Sequence, residues 1–147
     1  MLEVLATKYY YEDELSEELL AQIEKCNQRA RRVLPKTINE FIRQNHSLHD
    51  WHVSGLALYC KDNQQVCKIT FTKNQIEYHM NFFDVRAFSI YGEIISSDAQ
   101  YPSSHCDSSF AQVLAIWIDY HRSFEFCILL DNERFIVLVA NDVSLCE

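Results

Sequence analysis

The chain has 147 residues, 48% of them apolar, which suits one compact domain and leaves no room for a two-domain enzyme. Only two glycines (Gly55, Gly92) and two prolines (Pro35, Pro102) occur, where about ten and seven would be ordinary, so the closely spaced glycines of a phosphate-binding loop are missing. Thirteen Lys and Arg against twenty-one Asp and Glu give a net charge of -8, which argues against a nucleic-acid partner, because phosphate binding needs a basic surface that releases counterions.

The negative charge is uneven. Residues 1–46 hold seven basic and eight acidic side chains, residues 47–147 six and thirteen. A basic protein would therefore be steered towards the second part. No run reaches the roughly 18 apolar residues of a membrane span, and Val113 to Ile118 and Phe135 to Ala140 have strand length. The start, MLEVLATKYYYEDE, shows no basic segment followed by an apolar one, so a cytoplasmic address is expected. Six cysteines, none in a CxxC pair, are expected to stay reduced there.

In chain order, Tyr9, Tyr10 and Tyr11 read as packing aromatics. Glu12 to Leu34 then reads as a helix: Leu15, Leu19, Ile23, Cys26, Ala30 and Val33/Leu34 make one apolar stripe. Its acidic residues (Glu12, Asp13, Glu14, Glu17, Glu18) come first and its basic ones (Lys25, Arg29, Arg31, Arg32, Lys36) last, as a helix dipole favours. Pro35 ends or kinks this helix. A shorter one follows from Thr37 to about Gln44, with Ile38, Phe41 and Ile42 inward.

After Leu48 the apolar period becomes two. His52 to Cys60, Val66 to Thr72 and Gln75 to Phe83 read as an antiparallel meander turning at Asp62-Asn63 and Lys73-Asn74, since Asn and Asp accept the left-handed conformations that turns need. A loop at Lys73-Asn74 would set Phe71 against Ile76, Ile69 against Tyr78 and Cys67 against Met80. Leu56, Leu58 and Cys60 would share that face in either of two registers, one of which sets Cys60 against Cys67. Lys68, Thr70, Thr72, Glu77, His79 and Asn81 would form an opposite, polar face. A further strand runs from about Arg86 to Ile95, before a loop over Ser96 to Ser109. Phe110 to Tyr120, Phe124 to Asp131 and Arg134 to Ala140 are apolar in both parities, so they should be covered on both faces. A two-residue turn at Asn132-Glu133 would set Leu130 against Phe135. The order, two N-terminal helices and then a mainly antiparallel sheet of about six to seven strands, defines an α+β fold over residues 1–147, helical in 1–46 and sheet in 47–147.

Among chemical candidates, His49, Asp50 and His52 form the densest cluster. Their types could serve a metal or ligand site, but extended backbone would send His49 and His52 to opposite faces, and no further His or Cys pair completes a ligand set. A turn role for Asp50 and an anchoring role for His49 and Trp51 is the simpler reading. His79 beside Glu77 on the polar sheet face is a second binding candidate, the alternative being a plain solvated histidine opposite Lys68. His105-Cys106-Asp107 and Asp119/His121/Ser123 hold the residue types of nucleophilic sites. Their spacing does not give the required geometry. No catalytic residue, metal or cofactor is assigned.

The junction Ser47-Leu48-His49-Asp50, after two helices parted by Leu34-Pro35, resembles that of small uncharacterised bacterial α+β domains. The likeness extends to Lys68-Ile69-Thr70-Phe71, to Phe124 through Asp131 and to Asn141-Asp142-Val143. Some families of this pattern are similar to immunity proteins encoded beside polymorphic toxins, which bind and block a toxin domain. For residues, the resemblance implies only His49 and Asp50 as a family-like junction with no role attached; together with the acidic surface, the expectation is a non-enzymatic protein-binding module of the immunity type with a basic protein as partner. An open sheet edge also allows a homodimer.

Overall fold

The computed structural model describes residues 2–11, 16–91, 112–131 and 133–147. Among the described residues three helices precede the sheet: α1 (Leu2–Tyr11), α2 (Glu17–Arg31) and α3 (Lys36–Gln44), followed by a short 3-10 turn at His46–Leu48. The expected long helix is α2, which begins where the Ser16 hydroxyl accepts the Leu19 N–H at 3.1 Å; residues 12–15 lie outside the described residues. α1 adds a helix to the expected two. Tyr9 and Tyr10 do pack, Tyr9 edge-on to Trp117 and Tyr10 stacked on Phe135 with its hydroxyl donating to the Leu130 carbonyl at 2.5 Å.

Six strands follow among the described residues: β1 (His52–Lys61), β2 (Gln64–Lys73), β3 (Ile76–Tyr91), β4 (Val113–Tyr120), β5 (Phe124–Leu130) and β6 (Phe135–Cys146). They form one antiparallel sheet in the order β1-β2-β3-β6-β5-β4. The two segments expected on either side of Asp84 are one strand, β3, which bends at a register shift between Val85 and Ala87 rather than breaking. β6 runs past Ala140 to Cys146. The expected 96–109 loop, including His105, Cys106 and Asp107, lies outside the described residues.

Both hairpin corrections have a physical cause. β2 and β3 turn at Asn74-Gln75 (φ 53° and 70°), one residue later than expected, so Phe71 faces Tyr78, Ile69 faces Met80 and Cys67 faces Phe82. That slip moves each partner by two and leaves every side chain on its expected face. Between β5 and β6 the loop has three residues, with Glu133 at φ 65°, and Leu129 rather than Leu130 faces Phe135. Strands apolar in both parities hold no preference that could reveal a one-residue shift. In the first hairpin Cys60 faces Gln65 and Cys67 faces Leu58, so the two thiols are not partners, and all five described cysteines are free.

The sheet curls until its edges touch. His52 bridges Gln112, and the Val113 N–H donates to the Trp51 carbonyl at 2.7 Å. The inner side buries Ile69, Phe71, Met80, Phe82, Phe126, Ile128 and Leu138 beneath Leu34, Ile38 and Phe41. On the outer side, α1 and α2 cover only the β4-β5-β6 half, where Leu2, Leu5, Leu19 and Ile23 meet Trp117, Cys127, Leu129 and Val137. This is why these strands are apolar in both parities. On the outer side of β2 and β3, the polar row Lys68, Thr70, Thr72, Glu77, His79 and Asn81 is partly to fully exposed, as its alternation predicts, while Val66 at the end of the same face is buried.

Eleven non-glycine residues among those described have positive φ. At Glu133 the left-handed backbone strains an ordinary side chain. Glu133→Gly should therefore stabilise the fold by roughly 0.5 kcal/mol, the relieved strain exceeding glycine's entropic cost. The urea midpoint measures it, and a lower midpoint refutes the strain argument.

Candidate functional site

The junction between helices and sheet is built on consecutive left-handed residues. His46, Ser47 and Leu48 have φ of 51°, 60° and 60°, and Asp50 has 74°. Such values cost non-glycine residues on the order of 1 kcal/mol each and persist where the surroundings impose them. Here Leu48 N–H donates to the Asn45 carbonyl, His49 N–H to that of His46 and Trp51 N–H to that of Leu48. Leu48 and Trp51 are buried, and Trp51 meets Phe41 and Tyr78. The segment is thus a turn and not the extended run considered from sequence.

That turn presents His49 and Asp50 to solvent. His49 Nδ1 lies 3.1 Å from Asp50 Oδ1, both side chains 55% exposed. Asp50 also accepts from Gln112 Nε2 at 2.6 Å, while the Gln112 backbone N–H donates to Asp131 Oδ1 at 3.2 Å. Two carboxylates from distant parts of the chain are therefore gathered around one glutamine. His52 starts β1, opposite Thr72 and Gln112, and is exposed. Among the described residues no three His, Cys, Asp or Glu side chains converge as a metal would require.

On the open sheet face His79 lies opposite Thr70, not Lys68, because of the shifted turn. Its Nδ1 is 2.9 Å from Thr70 Oγ1 and its Nε2 3.3 Å from Glu77 Oε1. With its Nε2 proton towards Glu77, the ring accepts from the threonine hydroxyl. Glu77 is well exposed on a sheet surface, so this array fixes the imidazole in place. A cleft of about 440 Å³ lies elsewhere, between the end of α2 and α3, lined by Arg31, Glu40, Arg43 and His46.

Asp119 is the buried charged side chain among the described residues, 1% exposed on β4. Arg29 of α2 grips it with two bonds, Nε to Oδ1 at 2.9 Å and Nη2 to Oδ2 at 3.0 Å, and His121 Nε2 lies 3.3 Å from Oδ2. Burial pushes the carboxyl upward, but bonds from Arg29, the Tyr120 N–H and Cys26 outweigh it and leave the pKa below the usual value. Beside it, burial and Asp119 push the Cys26 thiol up to about 11, and burial takes Cys67 up to about 12, so both are inert. Ser123 donates to Asn141 Oδ1, away from His121, so Asp119, His121 and Ser123 do not form a relay. Sequence reasoning missed the Arg29–Asp119 pair. An aspartate in a strand covered on both faces was the available signal, because a buried charge requires a partner.

No protein-family model matches the chain. No curated protein sequence matches it significantly either. Its structure is similar to the crystal structure of an uncharacterized protein from Neisseria gonorrhoeae, with 14% identity and a TM-score of 0.47, covering 67% of this chain and 92% of that one.

Arg29→Ala should destabilise the fold more than Asp119→Asn does, since it strands a carboxylate with almost no access to water. The Asn variant should cost about 2 kcal/mol, less than a fully buried pair because Arg29 is 40% exposed. Equal urea midpoints would contradict this order. The lowered Asp119 pKa adds stability that is present above the ordinary carboxylate range of about 4 and is lost as pH falls through the folded value. In an acid titration Asp119→Asn should therefore lose less stability below about pH 4 than the native chain does.

Proposed function

We propose that the chain is a non-enzymatic binding module that engages a basic protein through carboxylates at the corner of its sheet. The observation that carries this reading is the grouping of Asp50 and Asp131, both exposed, around Gln112. Exposed Glu133 follows in the same loop as Asp131. These residues belong to the half of the sequence with thirteen acidic and six basic side chains. Exposed charge of one sign accelerates encounter with an oppositely charged partner and fixes its orientation more than it adds affinity. A toxin domain of the kind that immunity proteins block is one partner with suitable chemistry. The resemblance of the Leu48-His49-Asp50 junction is what suggests it.

The test mixes the purified chain with the product of a neighbouring toxin-like gene and follows binding by calorimetry at rising salt. A complex that weakens with salt is expected, and Asp50→Asn/Asp131→Asn should weaken it by roughly three- to tenfold, as two exposed charges would. Asn tolerates the left-handed backbone at position 50, so the fold should be kept. Absence of a complex at low salt would overturn the proposal.

A further inference from the structure

The two edges of the sheet are finished differently. β4 lies against α2, and the side chain of Asn27 accepts the outward-pointing Ile118 N–H at 2.8 Å. Among the described residues β1 is tied to β4 only at the corner. From Ala57 to Lys61 every residue is exposed, with Leu58 at 48% and Tyr59 at 42%. Free edges recruit further strands unless charge, proline or a bulge prevents it. In β1 the bulge, between Val53 and Gly55, precedes the free stretch, there is no proline, and the only Asp, Glu, Lys or Arg is Lys61 at the end.

We propose that β1 pairs antiparallel with β1 of a second copy of this chain, about a two-fold axis at Leu58. The register follows from the hairpin. Asp62 and Asn63 form a two-residue turn with φ of 51° and 64°, so the closing pair, Lys61 and Gln64, is hydrogen-bonded. The alternation makes Tyr59–Val66 and Ala57–Lys68 hydrogen-bonded pairs as well. The backbone groups of Leu56, Leu58 and Cys60 therefore point away from β2, into the free edge. Leu58 is the middle residue of the stretch from Gly55 to Lys61. An axis there sets Leu58 against the partner's Leu58 and Leu56 against the partner's Cys60, matching all the outward N–H and C=O groups of these three residues. On the other side of the ladder Tyr59 meets the partner's Ala57.

The pattern is self-complementary. Apolar residues meet apolar residues, and no charge in the paired stretch faces a like charge, even though each chain carries -8. Pairing one short strand buries less than the roughly 1,200 Å² of a stable interface, so the dimer is weak and dissociates on dilution. This surface is separate from the Asp50–Asp131 corner, and the inference does not rest on the basic-partner reading.

Sedimentation velocity of the full chain over a dilution series tests it. A dimer at high concentration that dissociates on dilution is expected. Leu58→Lys should raise the dissociation constant by about tenfold or more, because two ammonium groups would meet across the axis. Leu58 is already half exposed, so the urea midpoint of this variant should stay close to native. For register, Ala57→Cys/Tyr59→Cys in a Cys60→Ser/Cys146→Ser background should form a covalent dimer on oxidation, because these two positions meet at a non-hydrogen-bonded pair, where side chains across an antiparallel ladder stand closest. A chain that is monomeric at every concentration, a dimer unaffected by Leu58→Lys, or no crosslink in the Ala57→Cys/Tyr59→Cys variant would each overturn the proposal. A monomer that takes up a strand only from a different protein would do so too.

Discussion

The hydrogen bond from the Val113 N–H to the Trp51 carbonyl holds the two ends of a six-stranded sheet together, with the Asp50 N–H to the Val113 carbonyl beside it. Without that corner the sheet would be an open ladder with two free edges and no enclosed inner face. With it, the inner residues of all six strands point into one volume, which α3 and the end of α2 cover. The corner also requires the chain to reverse sharply between α3 and β1. That reversal imposes the left-handed run at His46–Leu48 and the φ of 74° at Asp50. The exposed pair His49–Asp50 is thus a by-product of closure, held by the same bonds that close the sheet.

Closure also explains the unequal treatment of the two faces. β4, β5 and β6 carry α1 and α2 on their outer side and are buried twice, whereas among the described residues no helix packs on the outer side of β1, β2 and β3. Asp119 sits where the helical layer meets β4, and Arg29 reaches it from α2. A paired charge at this position constrains how the helix sits along the strand, because the fork of the guanidinium accepts a narrow range of approach. Asn27, two residues earlier on α2, meets the backbone of Ile118 and reinforces the same placement.

The alternation of Lys68, Thr70 and Thr72 with Ile69 and Phe71 was sufficient to place the open and buried faces of β2, and a slip of the turn did not alter that. The double-sided character of β4 to β6 was legible as well. Register between β5 and β6 was not, because Leu129 and Leu130 are equally apolar and either can face Phe135. α1 was obscured by three consecutive tyrosines, a composition that suits strands as well as helices. At the site, His49 and Asp50 were visible as a cluster. Their neighbour Asp131 was not, because it joins Asp50 only through Gln112, which is 19 residues from Asp131 but 62 from Asp50 across the meeting edges. Local patterning carries faces and periods, while contacts made by closure are written nowhere in a single stretch.

The hairpin turns without glycine also affect how the protein ages. Asn-Gly sequences deamidate readily, because a glycine amide with no side chain beside it can attack the asparagine carbonyl. The turns here use Asp62-Asn63 and Asn74-Gln75, and no Asn or Asp anywhere in the chain is followed by glycine. The backbone strain accepted at these positions thus comes with slower succinimide chemistry at the exposed bends, where an old molecule would otherwise first acquire extra charge or an isomerised link.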